Sequence, residues 1–392
     1  MNADQKIARP FMFVLSAFIC AVQGRTNVAS AGATQGRVNV AGAQEARGAT
    51  RAGATVHLRF QKFLYALALF GLLTLPAGAV SVADYPALAR LIDSLVANHG
   101  FDRAALERLF AAASLQPQVI VAINRPHETS PWYVYRRGFI TEDRIELGTR
   151  FWRDHRDALA RAERRYGVPA ELIVAIIGVE TRYGIHQGSH SVLDSLLTLT
   201  LDYPRRADFF RNELEQFLLL TRELQIEPSS VKGSYAGALG IPQFIASSYR
   251  HYAVDFDDDN RRDLFGNSTD AIGSVANFLS RHGWTAGQPI VDAAQVPAPP
   301  KAQPKQRPAD ALLPLRQWLA YGVAPQPDGS APATVDAERA AALITLQGEA
   351  GPLYYLGYDN FFVITRYNRS HNYAMAVNEL ARMIRSRYQL ES

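Results

Sequence analysis

Apolar residues recur at intervals of three and four along most of the chain beyond residue 80, which is the spacing of amphipathic helices. The segment DYPALARLIDSLVANHG predicts a helix that ends at Gly100, and DRAALERLFAAA predicts the next one. A longer helix is predicted from Thr141, in a capping position, to Gly167. The pattern beyond residue 80 therefore indicates a mainly helical protein.

The most apolar helix is predicted after Pro169, which can serve as its first-turn residue. In ELIVAIIGVETRYG the apolar positions cover most of the helix circumference, so we expect this helix to be central. Glu180 then lies near the end of a buried helix, where an ionised carboxylate is costly. One interpretation is a structural glutamate paired with Arg182 or Arg206. The other is a general acid, because apolar surroundings raise the pKa of a carboxyl group toward the pH at which it must donate a proton.

Further segments extend the helical pattern and add a small β part. Pro204 opens a helix in DYPRRADFFRNELEQFLLLTREL, and DAIGSVANFLSRHGW predicts a helix from Asp270, as its N-cap, to Gly283. Residues 285–314 are rich in Pro, Ala and Gln, which indicates a long surface connection or insertion. AALITLQ and NFFVITRYN are typical of short strands, and YAMAVNELARMIRSRY of a final helix. The fold class predicted is α+β and predominantly α-helical.

Composition and charge narrow the function classes. The 392 residues are 48% hydrophobic and 20% charged, as in a globular protein of one large or two ordinary domains. Cys20 is the only cysteine, which excludes an intrachain disulfide and a cysteine-based metal site. Residues 1–79 hold eight Lys and Arg against two Asp and Glu, so the remainder holds 33 basic and 35 acidic residues. The basic pI therefore does not indicate a nucleic-acid partner.

A leader is predicted over residues 56–79. Two basic residues, the apolar run from Phe63 to Leu75, a proline and the small-x-small pattern ending at Ala79 are typical of a secretory signal peptide, which we expect to be cleaved after Ala79. The alternative is a transmembrane anchor, but the apolar run is shorter than the roughly 20 residues that span a bilayer. A lipid anchor is not supported, because Cys20 lacks the usual small residue before it.

The leader begins unusually far into the chain. Residues 1–55 are rich in Ala, Gly and Arg and low in large apolar residues. We interpret them as a low-complexity extension, which a misassigned start would explain. The catalytic region is expected to occupy residues 80–392.

Two segments carry residue types that suit a bulky polar ligand. In KGSYAGALGIPQF, small residues around Ser234 and Gln243 would let a ligand approach the backbone beside a hydroxyl and an amide. In TRYNRSHNY, Asn368 and Tyr373 add an amide and an aromatic ring of the kind that hold sugars. Ordinary packing is the alternative for each residue taken singly.

The segment DFDDDNRRD predicts an EF-hand-like loop, because it places carboxylates at relative positions 1, 3, 5 and 9, namely Asp255, Asp257, Asp259 and Asp263. Asn260 stands where glycine is usual, and asparagine tolerates the left-handed conformation needed there. Position 12 is Gly266, which has no side-chain ligand, so Asp270 is the candidate that would close a lengthened loop. The alternative is a solvated acidic turn.

These motifs, in this order, closely resemble the membrane-bound lytic transglycosylase B family, glycoside hydrolase family 103. The resemblance runs from about Phe101 to the C-terminus and is strongest in YGVPAELIVAIIGVETRYG, TLTLDYPRRADFFRNELEQFLLL, KGSYAGALGIPQF, YAVDFDDDNRRDLF, DAIGSVANFL and TRYNRSHNYAMAV. It implies a lysozyme-like fold with a small β part, in a protein of the periplasm of a Gram-negative bacterium that acts on peptidoglycan glycan strands. It also raises cell-wall synthesis or division proteins as partners.

The resemblance assigns roles by motif. Glu180 matches the catalytic acid/base, and Arg205 and Arg206 match a pair that can meet a peptide or lactyl carboxylate. Residues that match the lining of the glycan cleft are Ser234, Gln243, Tyr367, Asn368 and Tyr373. The resemblance also implies a structural Ca²⁺ and no cofactor for the chemistry. The residues that match the family's metal loop are Asp255, Asp257, Asp259 and Asp270, with the Arg261 carbonyl.

The chain departs from the family in three places. Ile245 and Ala246 stand where the family commonly has Met-Pro, and HQGSHSVLD differs from the usual sequence after the catalytic helix. Both differences would alter the fit of the substrate rather than the chemistry. The lipid anchor in the family name is missing, so membrane attachment is not carried over.

The motifs offer one acid, whereas most glycosidases use two carboxylates. The resemblance implies that Glu180 protonates the oxygen between N-acetylmuramic acid and N-acetylglucosamine, with the N-acetyl group supporting the cationic centre. The muramyl C6 hydroxyl would then close onto C1 to give a 1,6-anhydro sugar. The alternatives are a muramidase on the same fold, which admits water, and a non-catalytic peptidoglycan-binding scaffold.

Overall fold

The computed structural model describes residues 82–124, 130–296, 312–326 and 336–391. The predicted signal peptide and Cys20 lie outside these ranges, so both predictions about them stay untested by the fold. Within the described ranges, no helix combines the length and the apolar character needed to cross a membrane.

The described part of the chain contains fourteen α-helices and three short 3₁₀ segments. Their bounds are α1 Pro86–His99, α2 Arg103–Ala112, α3 Pro117–Ile123, α4 Trp132–Phe139, α5 Glu142–Asp154, α6 Arg156–Tyr166, α7 Ala170–Thr181, α8 Val192–Asp202, α9 Ala207–Leu224, α10 Ala246–Tyr252, α11 Ser268–Arg281, α12 Leu315–Ala320, α13 Asp359–Tyr367 and α14 His371–Glu391.

Helix α7 lies in the middle of the main hydrophobic core. Every residue of it except Glu171 is buried, and it contacts α5, α6, α11 and α14. Burial on all sides follows from the uninterrupted apolar sequence, because a helix without a polar face gains nothing from contact with water. The prediction that this helix is central is confirmed.

Seven short strands form two antiparallel sheets in the described ranges. Strands β1 (His190–Ser191) and β2 (Lys232–Gly233) pair with each other, and β1 contacts the start of α8. The larger sheet has the order β4-β6-β7-β3-β5, with strands β3 Val291–Gln295, β4 Leu313–Pro314, β5 Ala324–Pro325, β6 Ala340–Gln347 and β7 Pro352–Gly357. It covers a small separate cluster around Leu315 and Trp318. The predicted α+β class, predominantly helical, is confirmed.

The predicted strand NFFVITRYN is wrong, because these residues form helix α13. The inward side chains of Phe361, Ile364 and Tyr367 follow a helical spacing of three, and all three are fully buried. Aromatic and β-branched composition favours strands only weakly, and burial along a helical stripe overrides it here. The other predicted strand, AALITLQ, is confirmed as β6.

Two helix boundaries and the predicted long connection also differ from the sequence prediction. The helix from Thr141 is interrupted at His155, where φ is −118° and the ring lies 4.4 Å from that of Phe151. The N-cap of α11 is Asn267 rather than Asp270, which lies inside the first turn. Within 285–314, residues 291–295 form strand β3, and 297–311 lie outside the described residues.

Candidate active site

Glu180 occupies the last turn of α7 and is only 6% exposed. Its Oε1 accepts a hydrogen bond of 2.6 Å from the Tyr373 hydroxyl. Of the two arginines considered as its partners, Arg182 forms an ion pair with Asp143, and the Arg206 guanidinium lies over the ring of Phe209. Glu180 is therefore a buried carboxyl group that accepts a hydrogen bond from a neutral hydroxyl.

Tyr373 lies in the first turn of α14 and is completely buried. Burial first, and then the charge of Glu180, raise the pKa of Tyr373 well above the usual value for a phenol. The phenol consequently stays protonated at any physiological pH and donates to Glu180. Such a donor stabilises the carboxylate form after a proton has been given away.

Tyr367, at the end of α13, connects this pair to the loop before α10. Its ring stacks on that of Tyr373, with centroids 6.4 Å apart and planes within 12°. Its hydroxyl donates to the Pro242 carbonyl at 2.6 Å, directly before Gln243. Thr181, next to Glu180, donates to the Ile241 carbonyl at 2.8 Å. The loop is thus held against the end of α7 from two sides.

The predicted ligand loop is shaped mainly by contacts with its own chain. The Ser234 hydroxyl oxygen accepts from the Ala238 backbone N–H at 2.8 Å, so it closes the turn. Gly240 has φ of 68°, and a Cβ there would lie 2.3 Å from the Leu264 carbonyl oxygen. Close packing of the loop therefore explains the small residues at these positions. The approach of a ligand is not needed to explain them.

Two buried amides in this region have an atom without a hydrogen-bond partner in the described part of the protein. Gln243 donates to the carbonyls of Gly240 and Gln187, but its Oε1 accepts nothing. Asn368 accepts from the Ser370 N–H, but its Nδ2 donates to nothing. A buried polar atom without a partner costs about 1–3 kcal/mol. One acceptor and one donor of this region therefore lack a hydrogen bond within the described part of the protein.

Arg205 and Arg206 lie on the 3₁₀ turn before α9, where they line a cavity of about 370 Å³ together with Arg369 and Phe209. Arg206 is half-buried, and burial lowers its pKa from the usual arginine value. Arg369 directly follows Asn368, so the chain itself connects this cationic cavity to the buried amide described above. Three guanidinium groups around one cavity suit a carboxylate ligand.

The turn after Glu180 contains Tyr183, which sequence reasoning did not single out, next to Arg182, which was considered only as an ion-pair partner of Glu180. Arg182 and Tyr183 both have left-handed backbone conformations, with φ of 52° and 63°. Outside glycine this conformation costs roughly 1–2 kcal/mol per residue. The Tyr183 hydroxyl donates to the Arg144 carbonyl at 2.8 Å, and the Arg144 guanidinium donates to the Gly178 carbonyl. The sequence contained one signal of this contact. Gly178 is a glycine inside an apolar helix, which indicates that another group packs closely against the helix there.

The acidic loop brings together three of the predicted metal ligands. Oxygen atoms of Asp255, Asp257 and Asp259 lie within 4.8 Å of one another. Asn260 has φ of 66°, which confirms the expected left-handed conformation. The Asp255 carboxylate accepts the N–H groups of Asp259 and Asn260, and Asp259 accepts that of Arg261. The loop therefore has the compact turn that the spacing predicts.

Asp270 is placed differently from the other three. It is fully buried, and its two oxygens accept the backbone N–H groups of Phe256 at 2.7 Å and Asp263 at 2.8 Å. It thus joins the two ends of the acidic loop to the first turn of α11. This bracing explains a carboxylate at that position without a metal bond.

Comparison with known proteins places the chain in a family of peptidoglycan enzymes. Residues 83–382 match the family model described as the transglycosylase SLT domain. The chain is 40% identical over 315 residues to the membrane-bound lytic murein transglycosylase B of Escherichia coli strain K12. The aligned region covers 77% of this chain and 83% of that protein.

Solved structures agree with the sequence comparison. The catenated lytic transglycosylase SltB1 of Pseudomonas aeruginosa is similar with a TM-score of 0.72 and 43% identity, over 77% of this chain and 98% of that one. The Escherichia coli lytic transglycosylase Slt35 in complex with calcium is similar with a TM-score of 0.69 and 41% identity, over 77% and 94% of the two chains.

Proposed function

The chain belongs to the transglycosylase SLT domain family, and from that membership we propose that Glu180 is the acid with which it cleaves peptidoglycan. The protein is an enzyme of the lytic murein transglycosylase type. The bond cleaved is the β-1,4 bond between N-acetylmuramic acid and N-acetylglucosamine, and the product is a 1,6-anhydromuramyl end. In reaction class it is a carbon–oxygen lyase, and the chemistry requires no cofactor.

The observation that carries the proposal is the buried Glu180 carboxyl group with the Tyr373 hydroxyl 2.6 Å from it. Two other carboxylates are buried in the described ranges, Glu213 and Asp270. Glu213 accepts the backbone N–H and the hydroxyl of Ser247, and Asp270 accepts two backbone N–H groups. Both hold helices and loops in place, which supports a mechanism with a single working acid.

Cleavage begins with proton transfer from Glu180 to the glycosidic oxygen. The C1–O bond of the muramyl residue then breaks, and its electron pair goes to the departing N-acetylglucosamine hydroxyl. The substrate's own N-acetyl group stabilises the cationic C1, as in substrate-assisted glycosidases. Tyr373 donates a hydrogen bond to the carboxylate that Glu180 has become, which lowers the free energy of this charged intermediate.

Glu180 then acts as a base. It takes the proton from the muramyl C6 hydroxyl, and the C6 oxygen forms a bond to C1 of the same sugar. The nucleophile is already part of the bound ring, so no water has to be positioned or activated. Glu180 ends the cycle protonated, and the released fragment carries the 1,6-anhydro end.

The polar groups described above suit the parts of a glycan strand. The unpartnered Gln243 oxygen and Asn368 nitrogen can meet an N–H or hydroxyl donor and a carbonyl acceptor of the sugars. Arg205 and Arg206 can meet a lactyl or stem-peptide carboxylate. Ser234 and Tyr367 contribute by holding the loop that carries Gln243. The substrate is therefore a glycan strand that bears acidic peptide substituents.

Replacing Tyr373 by Phe is expected to lower kcat by about 10- to 100-fold, because a hydrogen bond to a charged group contributes roughly 1.5–3 kcal/mol. KM should change little, since the phenol does not need to touch the glycan. Turnover of purified sacculi measures the effect. Tyr358→Phe, which removes a 2.6 Å hydrogen bond to Asp292 in the larger sheet, is the control. Unchanged kcat in Tyr373→Phe would contradict the stabilising role of the phenol.

The acidic loop is proposed to hold a structural calcium ion. Asp255, Asp257 and Asp259 fit it, because Ca²⁺ prefers carboxylate and carbonyl oxygens and their side chains already converge. The Arg261 carbonyl is a further proposed ligand. Asp270 supports the loop by accepting the backbone N–H groups of Phe256 and Asp263. The ion would neutralise the repulsion among the three carboxylates and stiffen the connection between α10 and α11.

Calcium is expected to raise the melting temperature of chelator-stripped protein by roughly 5 °C at 100 times its dissociation constant, since binding to the native state alone adds stability by mass action. Differential scanning calorimetry measures the shift. The double variant Asp257→Asn, Asp259→Asn should show none. An equal melting temperature with and without calcium in the parent protein would contradict the calcium site and favour the alternative, a solvated acidic turn.

We place the enzyme in the periplasm, reached through a signal peptide over residues 56–79 that is cleaved after Ala79. The catalytic region then spans residues 80–392, preceded by the extension 1–55. Peptidoglycan is the expected partner, with cell-wall synthesis or division proteins as further partners. N-terminal sequencing of the exported protein tests the cleavage site.

A muramidase on the same fold is the alternative, in which water replaces the C6 hydroxyl. Mass spectrometry of muropeptides released from purified sacculi separates the two reactions, because a 1,6-anhydro product is lighter by one water. A reducing muramyl end on every product would move the protein to the muramidase class. No release of products at all would favour a non-catalytic binding scaffold.

A further inference from the structure

The turn that follows Glu180 is unusual for its sequence. Arg182 and Tyr183 are adjacent, neither is glycine, and both have left-handed backbone conformations. Their N–H groups bond to the carbonyls of Gly178 and Ile177, which ends the helix directly after the proposed acid. A conformation that these residues rarely adopt persists only where the surroundings hold it. The contacts of Tyr183 must therefore hold this turn.

The Tyr183 ring fills a slot between two helices. A Cβ atom added to Gly148 of α5 would lie 2.4 Å from the Tyr183 hydroxyl oxygen, and one added to Gly178 of α7 would lie 2.5 Å from the same atom. Both distances are far below van der Waals contact, so only glycine leaves room for the ring at these two places. Gly178 is two residues before Glu180, on the same turn of the helix.

The slot is closed by polar contacts from α5. The Tyr183 hydroxyl donates to the Arg144 carbonyl at 2.8 Å, and the buried Arg144 guanidinium donates to the Gly178 carbonyl. Burial raises the pKa of Tyr183, so the hydroxyl remains a donor, although other parts of the residue are partly exposed. Arg144 thus contacts the chain both before and after Glu180. Its side chain binds the Gly178 carbonyl, and its backbone carbonyl binds the Tyr183 hydroxyl.

We propose that Tyr183, seated between Gly148 and Gly178, is a positioning residue that sets where the Glu180 carboxyl group points. The inference rests on the proposed role of Glu180 as the acid. Proton transfer requires the acid to lie within hydrogen-bond distance of the glycosidic oxygen, and displacements well below 1 Å are costly in rate. Tyr183 itself does not touch the substrate. Its effect passes through the last turn of α7.

A positioning role and a purely structural role predict different measurements. Loss of a hydrogen bond that is only structural lowers the melting temperature and leaves the turnover of the folded enzyme unchanged. Loss of a positioning contact lowers kcat of the folded enzyme while KM stays constant, because the glycan is bound by other residues. The ratio of these two effects therefore decides between the two roles.

The first test compares Tyr183→Phe with Tyr358→Phe, which loses a hydrogen bond of similar length far along the chain in the larger sheet. Both variants keep their ring and are assayed on sacculi well below their melting temperatures. We expect kcat of Tyr183→Phe to fall about tenfold with KM within twofold of the parent. Tyr358→Phe should keep the parental kcat. Parental kcat in Tyr183→Phe would overturn the proposal.

The second test uses the slot itself. In Gly148→Ala the new Cβ collides with the Tyr183 hydroxyl and with the end of the Ile384 side chain at 2.6 Å. In the double variant Gly148→Ala, Tyr183→Phe the hydroxyl is gone, so only the end of Ile384 has to move. We expect the double variant to have at least the kcat of Gly148→Ala, because both changes act through one contact. Losses that simply multiply would contradict the proposal.

Glu180→Gln separates failure of this inference from failure of the proposed function. If Glu180→Gln is inactive and Tyr183→Phe is as active as the parent, Glu180 is the acid and the positioning role is wrong. If Glu180→Gln keeps its activity, the proposed function itself is wrong. Loss of kcat in Tyr183→Phe together with an inactive Glu180→Gln supports both.

Discussion

Replacing Glu180 by Gln is expected to reduce cleavage of purified sacculi by at least about 10³-fold, because the amide has no proton of suitable acidity to give to the glycosidic oxygen. The amide oxygen can still accept the hydrogen bond from Tyr373, so the shape of the site and its contacts are kept. The melting temperature and the sedimentation of the variant with sacculi should therefore remain close to those of the parent.

Glu213→Gln is the matched control for this substitution. Glu213 is also buried, and its replacement by glutamine is the same chemical change. Its carboxylate, however, accepts hydrogen bonds from Ser247 at the start of α10. This variant should be less stable and should retain the turnover of the parent per folded molecule. Parental activity in Glu180→Gln, or complete inactivity of folded Glu213→Gln, would sink the assignment of the acid.

Digestion in water labelled with heavy oxygen is expected to leave the label out of the released muropeptides. If the muramyl C6 hydroxyl attacks C1, the oxygen at C1 comes from the same sugar and no solvent oxygen enters the product. The products should also be lighter by one water than those of a muramidase. High-resolution mass spectrometry of the muropeptides measures both quantities in one experiment.

A muramidase of known specificity, run in the same labelled water, provides the control, because its products must carry one heavy oxygen at the reducing end. Label in the products of this enzyme would show that water competes for C1 at the active site. Glu180 would then keep its role as the acid, and the reaction would be hydrolysis. A mixture would measure how well the site excludes water during the second step.

Much of the fold could be predicted because its strongest elements are encoded locally. Helix α7 follows from an apolar sequence that cannot face water on any side, and the ends of α1 and α6 follow from glycines in left-handed conformation. Helix α13 was mistaken for a strand, because aromatic and β-branched residues are common in both and the sequence does not state which neighbours will bury them. Strand β3 was missed for the same reason, since it pairs with strands that are distant in sequence.

The sequence by itself determined the candidate acid and the acidic loop, because each depends on the identity and spacing of residues within one short segment. It also determined the family resemblance, which depends on several short motifs in a fixed order. Only the tertiary structure decided that Tyr373 donates to Glu180 across 193 positions of the chain. It also decided that Asp270 braces its loop through backbone N–H groups and that Tyr183 fits between Gly148 and Gly178. Contacts of this kind form when helices that are far apart in sequence pack side by side, and their geometry depends on the whole core, which no local pattern contains.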